Sequence, residues 1–282
     1  ALDGVAAGEH HGPTGADGYN QYLYNMGGLD SVETLVVPSR EAANDPFVVD
    51  RIDRAEAVFI AGGDQADYIN EWKATALDRA LRQLVARNAP LGGTSAGLAV
   101  LGEFDFAALN DTITSATALE NPYNRRVTLD RDFLALPGLA GAITDAHLDT
   151  RDRMGRLLTF VARLVQDGWA STDAVRAIGV DVETALLVDN GVARRVGAGS
   201  AYFLRPLIAP TVCAPKQPLT FRNVSVQRLS GAGLFQLDRW RSPDNAVASY
   251  DLSAEAGVLL SSQPGGSIYC RASRGSALPT FA

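Results

Sequence analysis

Two side chains stand out for chemistry, Ser95 and His147. Ser95 lies in Gly93-Thr94-Ser95-Ala96-Gly97, a G-x-S-x-G match. On a strand–turn–helix this pentapeptide forms a nucleophile elbow, in which the glycines let the backbone bend sharply and lift the hydroxyl off a sheet. The helix that follows aims its first N–H groups toward developing negative charge. Gly, Ser and Ala are common, so an ordinary glycine-rich loop is the alternative. The context favours the elbow: a short Gly-flanked segment precedes it and an apolar run, Leu98 to Leu101, follows. A serine hydroxyl needs a base to act as a nucleophile. The chain has three histidines, and His10 and His11 fall in a Gly-rich N-terminal stretch read as loop, which leaves His147. A carboxylate would orient the imidazole. Asp145, Asp181 and Glu183 are candidates, with Glu120 a more remote one, and the residues alone do not choose among them.

Gly62-Gly63-Asp64-Gln65 closes a predicted strand about thirty residues before the elbow. Catalytic loops of a parallel sheet gather at the C-terminal strand ends. A Gly-Gly there brings a backbone N–H close to a substrate carbonyl, and with the N–H of Ala96 it would complete an oxyanion hole. A phosphate-binding turn or a plain strand end is the competing reading, but neither G-x-G-x-x-G nor G-x-x-x-x-G-K occurs. After His147 come Arg151, Arg153 and Arg156. Alone, these would read as a solvated helix face.

These groups require an α/β scaffold. Val32 to Val37 and Ala57 to Ala61 are short β-branched or apolar runs suited to a parallel sheet buried on both faces. Residues 73–88 and 147–166 space their apolar residues as helices. Ala185 to Val188 reads as a strand, with Asp189-Asn190-Gly191 as a hairpin turn. Residues 1–20 and 105–142 look irregular. From about Ala201 short alternating segments dominate, which predicts a β-rich section laid on the α/β body. The expected division is residues 1–205 and 206–282.

The chain of 282 residues is long enough for one large domain or two small ones. Its net charge of −7 argues against nucleic acid or an anionic membrane surface as a partner, and no apolar run spans a bilayer. Cys213 and Cys270 have no metal-ligand spacing, so no metal or other cofactor is expected. One disulfide and two unpaired thiols remain equal readings.

Three blocks carry a family resemblance: Phe59 to Gln65, Gly92 to Gly97, and Asp145 to Leu157. In this order they resemble the signature blocks of cyanophycinases, members of a serine peptidase family that includes the aspartyl dipeptidases of peptidase E type. A fourth segment, Ile178 to Val188, is similar to the family's Gly-Ile-Asp-Glu stretch. The resemblance covers roughly residues 15–205. It implies an α/β fold like that of class I glutamine amidotransferases, a parallel sheet between helices. It implies Ser95 as nucleophile, His147 as base, and Gly63 and Ala96 as oxyanion donors. Gln65 would contact substrate, beside Asp64, and Asp145, Arg151, Arg153 and Arg156 would line or support the pocket.

The implied substrate is cyanophycin, a poly-aspartate with arginine on each side-chain carboxyl, cut to β-Asp-Arg dipeptides. Guanidinium groups would grip its carboxylates, and Asp145 or another acid would receive its guanidinium. An aspartyl or isoaspartyl dipeptidase and a catalytically silent binding homologue are the alternatives. A homodimer is expected, and a secreted or periplasmic location over a cytoplasmic one. Three departures from the family pattern stand out. No first strand is visible before Gly15, Val182 occupies a place where Glu is more usual, and the tail after about Ala201 lies outside the pattern.

Overall fold

The computed structural model describes residues 2–3, 16–134 and 136–269. Four short strands, β1 (Leu2–Asp3), β2 (Leu35–Val36), β3 (Val58–Ile60) and β4 (Leu91–Gly93), form a parallel sheet in the order β2-β1-β3-β4. Leu2 pairs with Leu35 on one side and Ile60 on the other. The slot left open by the missing first strand is therefore filled from within residues 1–20. That stretch is not simply loop, since helix α1 (Ala16–Asn25) begins within it. His10 and His11 lie outside the described residues.

Local chemistry sets the helices around this sheet. In α2 (Pro46–Arg54), Pro46 occupies the first turn and the Asp45 carboxylate accepts from the Phe47 N–H. The predicted 73–88 helix is α4 (Ala76–Ala86), capped by Thr75, with Asn88 at φ +62° after its end. A separate helix, α3 (Gln65–Trp72), precedes it. Leu77, Leu81 and Leu84 of α4 pack with Tyr68 and Trp72 of α3 in one core, the two rings stacking at 4.4 Å.

The chain then passes through α5 (Ala96–Ala99) into an eight-stranded sheet. Its parallel part is β5 (Phe104–Phe106), β7 (Ala142–Asp145) and β8 (Arg176–Val180), with β6 (Leu129–Arg131) antiparallel at the edge. The expected irregular stretch 105–142 thus contributes strands and helix α6 (Ser115–Glu120). Helix α7 (Met154–Gln166) packs its buried Leu157, Leu158, Phe160 and Val161 into the second core.

Beyond β8, the strands β9 (Thr184–Asp189), β10 (Val192–Gly197) and β13 (Leu234–Gln236) form a small antiparallel sheet. Asn190 and Gly191, at φ +47° and +75°, turn the β9–β10 hairpin, a two-residue loop with both dihedrals positive. The remaining strands, β11 (Ala201–Pro206), β12 (Phe221–Leu229), β14 (Val247–Glu255) and β15 (Val258–Ser261), add antiparallel to β8 in the order β8-β11-β12-β14-β15. The expected β-rich section is present, but no break falls at 205/206. β11 and β12 pair over six positions and carry the sheet across that point. The fold is mixed α/β, with sheets flanked by helices.

Candidate active site

Ser95 stands between β4 and α5 with φ +53° and ψ −115°, a conformation that L-residues rarely adopt. The neighbouring glycines make the bend sterically feasible. A Cβ on Gly97 would sit 2.2 Å from the Ile60 carbonyl oxygen, and one on Gly93 would sit 2.2 Å from that of Gly97. The Thr94 N–H donates to the Ile60 carbonyl at 3.1 Å and ties the bend to β3.

His147 follows β7, also in left-handed backbone, at φ +56°. The next amide, Leu148 N–H, donates to the Val180 carbonyl at 3.0 Å and anchors the turn to β8. The imidazole comes back over the Ser95 turn, with Nε2 at 3.0 Å from Ser95 Oγ. Both side chains are half-buried, reachable from solvent yet shielded. Burial pushes the His147 pKa below its ordinary value, and the Arg151 and Arg153 charges push it further down. Asp145 opposes this and Arg156 adds to it. A neutral imidazole at hydrogen-bond distance from a hydroxyl can take its proton.

A cavity of about 400 Å³ opens beside the serine. Gly63, Asp64, Gln65 and Ala96 line it with Ser95, and Asp145, Arg151, Arg153 and Arg156 line it from the α7 side. Gln65 donates from Nε2 to the Phe106 carbonyl at 3.1 Å. The Asp64 carboxylate caps α3 through the Ala66 N–H at 2.9 Å.

The Arg cluster divides into two kinds. Arg156 is buried, 2% exposed, and grips Asp145 twice, Nε to Oδ2 at 2.8 Å and Nη2 to Oδ1 at 2.6 Å. Its guanidinium lies over the Phe106 ring at 5.1 Å and the Phe160 ring at 5.9 Å. Arg153 bonds the Ala146 carbonyl at 2.9 Å, and burial with the nearby Arg156 charge lowers its pKa to about 10. Arg151 is exposed, with no side-chain ion pair among the described residues. Asp145 is therefore already neutralised by arginine within the protein and is not the group left open for a substrate guanidinium.

The expected third residue does not come together with the pair. Asp181 turns its carboxylate to β11, accepting from the Ser200 N–H at 2.9 Å and the Tyr202 hydroxyl at 3.3 Å, while its other oxygen is buried without a hydrogen bond. Burial, reinforced by Asp149, raises its pKa to about 6. Glu183 is exposed in a tight turn at φ +52°, and Glu120 is exposed at the end of α6. Among the described residues, no carboxylate hydrogen-bonds His147.

Asp67, Asp111 and Thr112 also line the cavity and were not among the expected site residues. Asp111 pairs with Arg126 at 3.3 Å. Asp67 has no ion pair or side-chain hydrogen bond among the described residues. Burial, and after it the Asp64 and Glu71 charges, raise its pKa. Its place two residues after Gln65, in the first turn of α3, was the available clue. Cys213 is buried, and Cys270 lies outside the described residues.

Residues 16–127 match peptidase family S51. A cyanophycinase of Nostoc sp. is 29% identical over 221 residues, which cover 76% of this chain and 68% of that protein. A cyanophycinase of Synechococcus elongatus is 29% identical over 216 residues, 74% of this chain and 62% of that protein. A solved peptidase from an acI-B1 actinobacterium aligns with a TM-score of 0.43 at 16% identity, covering 71% of this chain and 75% of the other.

Proposed function

From a chain whose S51 match and cyanophycinase relatives support a peptidase of the cyanophycinase/peptidase E-like family, we propose a serine-type hydrolase that releases β-Asp-Arg dipeptides from cyanophycin, on a scaffold of the class I glutamine amidotransferase kind. The observation that carries this reading is the 3.0 Å approach of His147 Nε2 to Ser95 Oγ at a strained, glycine-flanked turn. The relatives are named cyanophycinases, and the polymer comes to this chain through that likeness.

In the proposed reaction His147 Nε2 accepts the Ser95 proton as Oγ attacks the scissile carbonyl carbon. The carbonyl electron pair moves to oxygen, and the N–H groups of Gly63 and Ala96 stabilise that oxyanion. Collapse breaks the C–N bond, and the imidazolium returns the proton to the leaving amine. Water, deprotonated by the same imidazole, then attacks the acyl carbon, the C–O bond to Ser95 breaks, and the imidazolium returns its proton to Oγ. With no carboxylate bonded to His147 among the described residues, the reading is a serine–histidine pair whose imidazole stays neutral through burial and the adjacent arginines.

The cavity has a complement for a zwitterionic unit. Arg151 faces it as a cation for a substrate carboxylate, and Asp67 as a carboxylate for a guanidinium, neither with an ion pair among the described residues. Assaying the polymer beside α-Asp and β-Asp dipeptides tests the substrate. Release of β-Asp-Arg supports the reading, and exclusive turnover of short α-linked peptides replaces it with a dipeptidase.

A further inference from the structure

Helix α7 starts without a side-chain cap of its own. Its N-cap residue is Arg153, whose side chain makes no capping hydrogen bond, although the first amides of a helix have no intrahelical partner. Two hydroxyls from distant segments fill the role. Ser115 Oγ accepts from the Arg156 N–H at 3.1 Å. Tyr269 Oη accepts from the Met154 N–H at 2.8 Å, from 115 positions along the chain. The same Tyr269 hydroxyl donates its proton to Asp152 Oδ1 at 3.1 Å. Burial pushes its phenol well above the usual tyrosine range, which keeps it a donor.

Asp152 matters because of where it sits. It occupies left-handed backbone at φ +47°, between Arg151 and Arg153, in the turn that begins at His147. The start of that turn is tied down by Leu148 N–H on the Val180 carbonyl and by Arg153 N–H on the Leu148 carbonyl at 2.9 Å. Its far end, the Asp152 side chain and the first amide of α7, converges on one phenol oxygen. That oxygen is itself held from the β-rich part of the chain. The Tyr269 ring meets Tyr202 of β11 edge-on at 6.1 Å, and the Tyr250 hydroxyl of β14 donates to the Ile268 carbonyl at 3.1 Å.

We infer that Tyr269 is a positioning residue for the turn that carries His147, Arg151 and Arg153, acting through Asp152 and the first amide of α7. This gives the strands beyond β11 a part in the site without their touching substrate. Its consequence for turnover rests on the hydrolase reading above, while its consequence for the order of the turn does not.

Tyr269→Phe keeps the ring and deletes the hydroxyl. Hydrogen exchange of peptides spanning 147–156 is expected to accelerate at least about fivefold, the factor worth one of the two hydrogen bonds lost, with α4 unchanged. On a soluble Asp-Arg oligomer, KM is expected to rise about fivefold with kcat within about twofold, since Arg151 and Arg153 lie nearer the lost contact than His147 does. Asp152→Ala, which leaves the Met154 N–H bonded to Tyr269, should reproduce part of this shift, and the double variant should not exceed Tyr269→Phe. Unchanged exchange at 147–156, uniform acceleration across the chain, or additive KM effects overturn the inference. A wild-type protein that turns over no Asp-Arg substrate overturns the hydrolase reading instead, and the exchange comparison then decides the role of Tyr269 alone.

Discussion

Arg156 closes on Asp145 through two hydrogen bonds, 2.8 and 2.6 Å long, with both side chains buried at the junction of α7 and the end of β7. The pair braces the wall of the cavity from which Arg153 and Arg151 project. Removing Arg156 takes both close hydrogen bonds from the buried Asp145 carboxylate and leaves it only the longer contact with Arg153 Nη1 at 3.6 Å. Arg156→Met is therefore expected to cost about 3–5 kcal/mol of stability in a denaturant titration. A loss below about 1 kcal/mol would show that the pair contributes little to the fold.

The His147 imidazole beside Ser95 is held below the ordinary histidine pKa by burial and then by Arg151 and Arg153. Only its neutral form can accept the Ser95 proton. The rate should therefore stay on its plateau as pH falls past the ordinary histidine value of 6.5 and decline only at lower pH. Arg151→Gln removes one of the depressing charges, so the acid limb of kcat/KM should move to higher pH. An unmoved limb would mean that the titration belongs to another group.

Asp181 makes a separate pH prediction. Its folded-state pKa is about 6, raised from 3.8 by burial first. A raised acid contributes stability that is fully present below pH 3.8 and is lost as pH rises through about 6. Asp181→Asn removes that dependence and keeps an oxygen for the Ser200 N–H and Tyr202. The variant should be about 1–3 kcal/mol more stable than wild type at pH 8, with the advantage gone at pH 4. It should also keep kcat within about threefold, because Asp181 does not bond the imidazole; a triad member would lose far more.

Asp67 bears on substrate choice. If its carboxylate receives the substrate guanidinium, wild type should prefer an arginyl unit over the neutral citrullyl isostere by about tenfold or more in kcat/KM. Asp67→Asn should bring that ratio close to one while sparing the citrullyl substrate. A retained preference would move guanidinium recognition elsewhere in the cavity.

Much of this site was legible because steric and chemical necessity narrowed the choices. A backbone at φ +53° with carbonyls 2.2 Å from two virtual Cβ atoms requires glycine at 93 and 97. With His10 and His11 in the N-terminal stretch, His147 was the one candidate base, and the structure brings it to 3.0 Å from Ser95 Oγ. Long-range pairing was not legible. Asp145 and Arg156 are 11 positions apart, and only the way α7 folds back on β7 turns an acid and a base of the pocket into partners. Asp181 looked available in sequence, but the pairing of β8 with β11 turns its carboxylate to Ser200 and Tyr202. Strand β1, two residues long, is too short to show a period, and its place comes from its neighbours on either side.

The most direct test of the central claim is release of β-Asp-Arg from purified polymer by wild type and by Ser95→Ala at equal concentration, with circular dichroism confirming the same fold. Wild type should release dipeptide, and the variant should fall by a factor of about 10³ or more. Dipeptide released by Ser95→Ala at the wild-type rate would contradict a nucleophilic Ser95 served by His147.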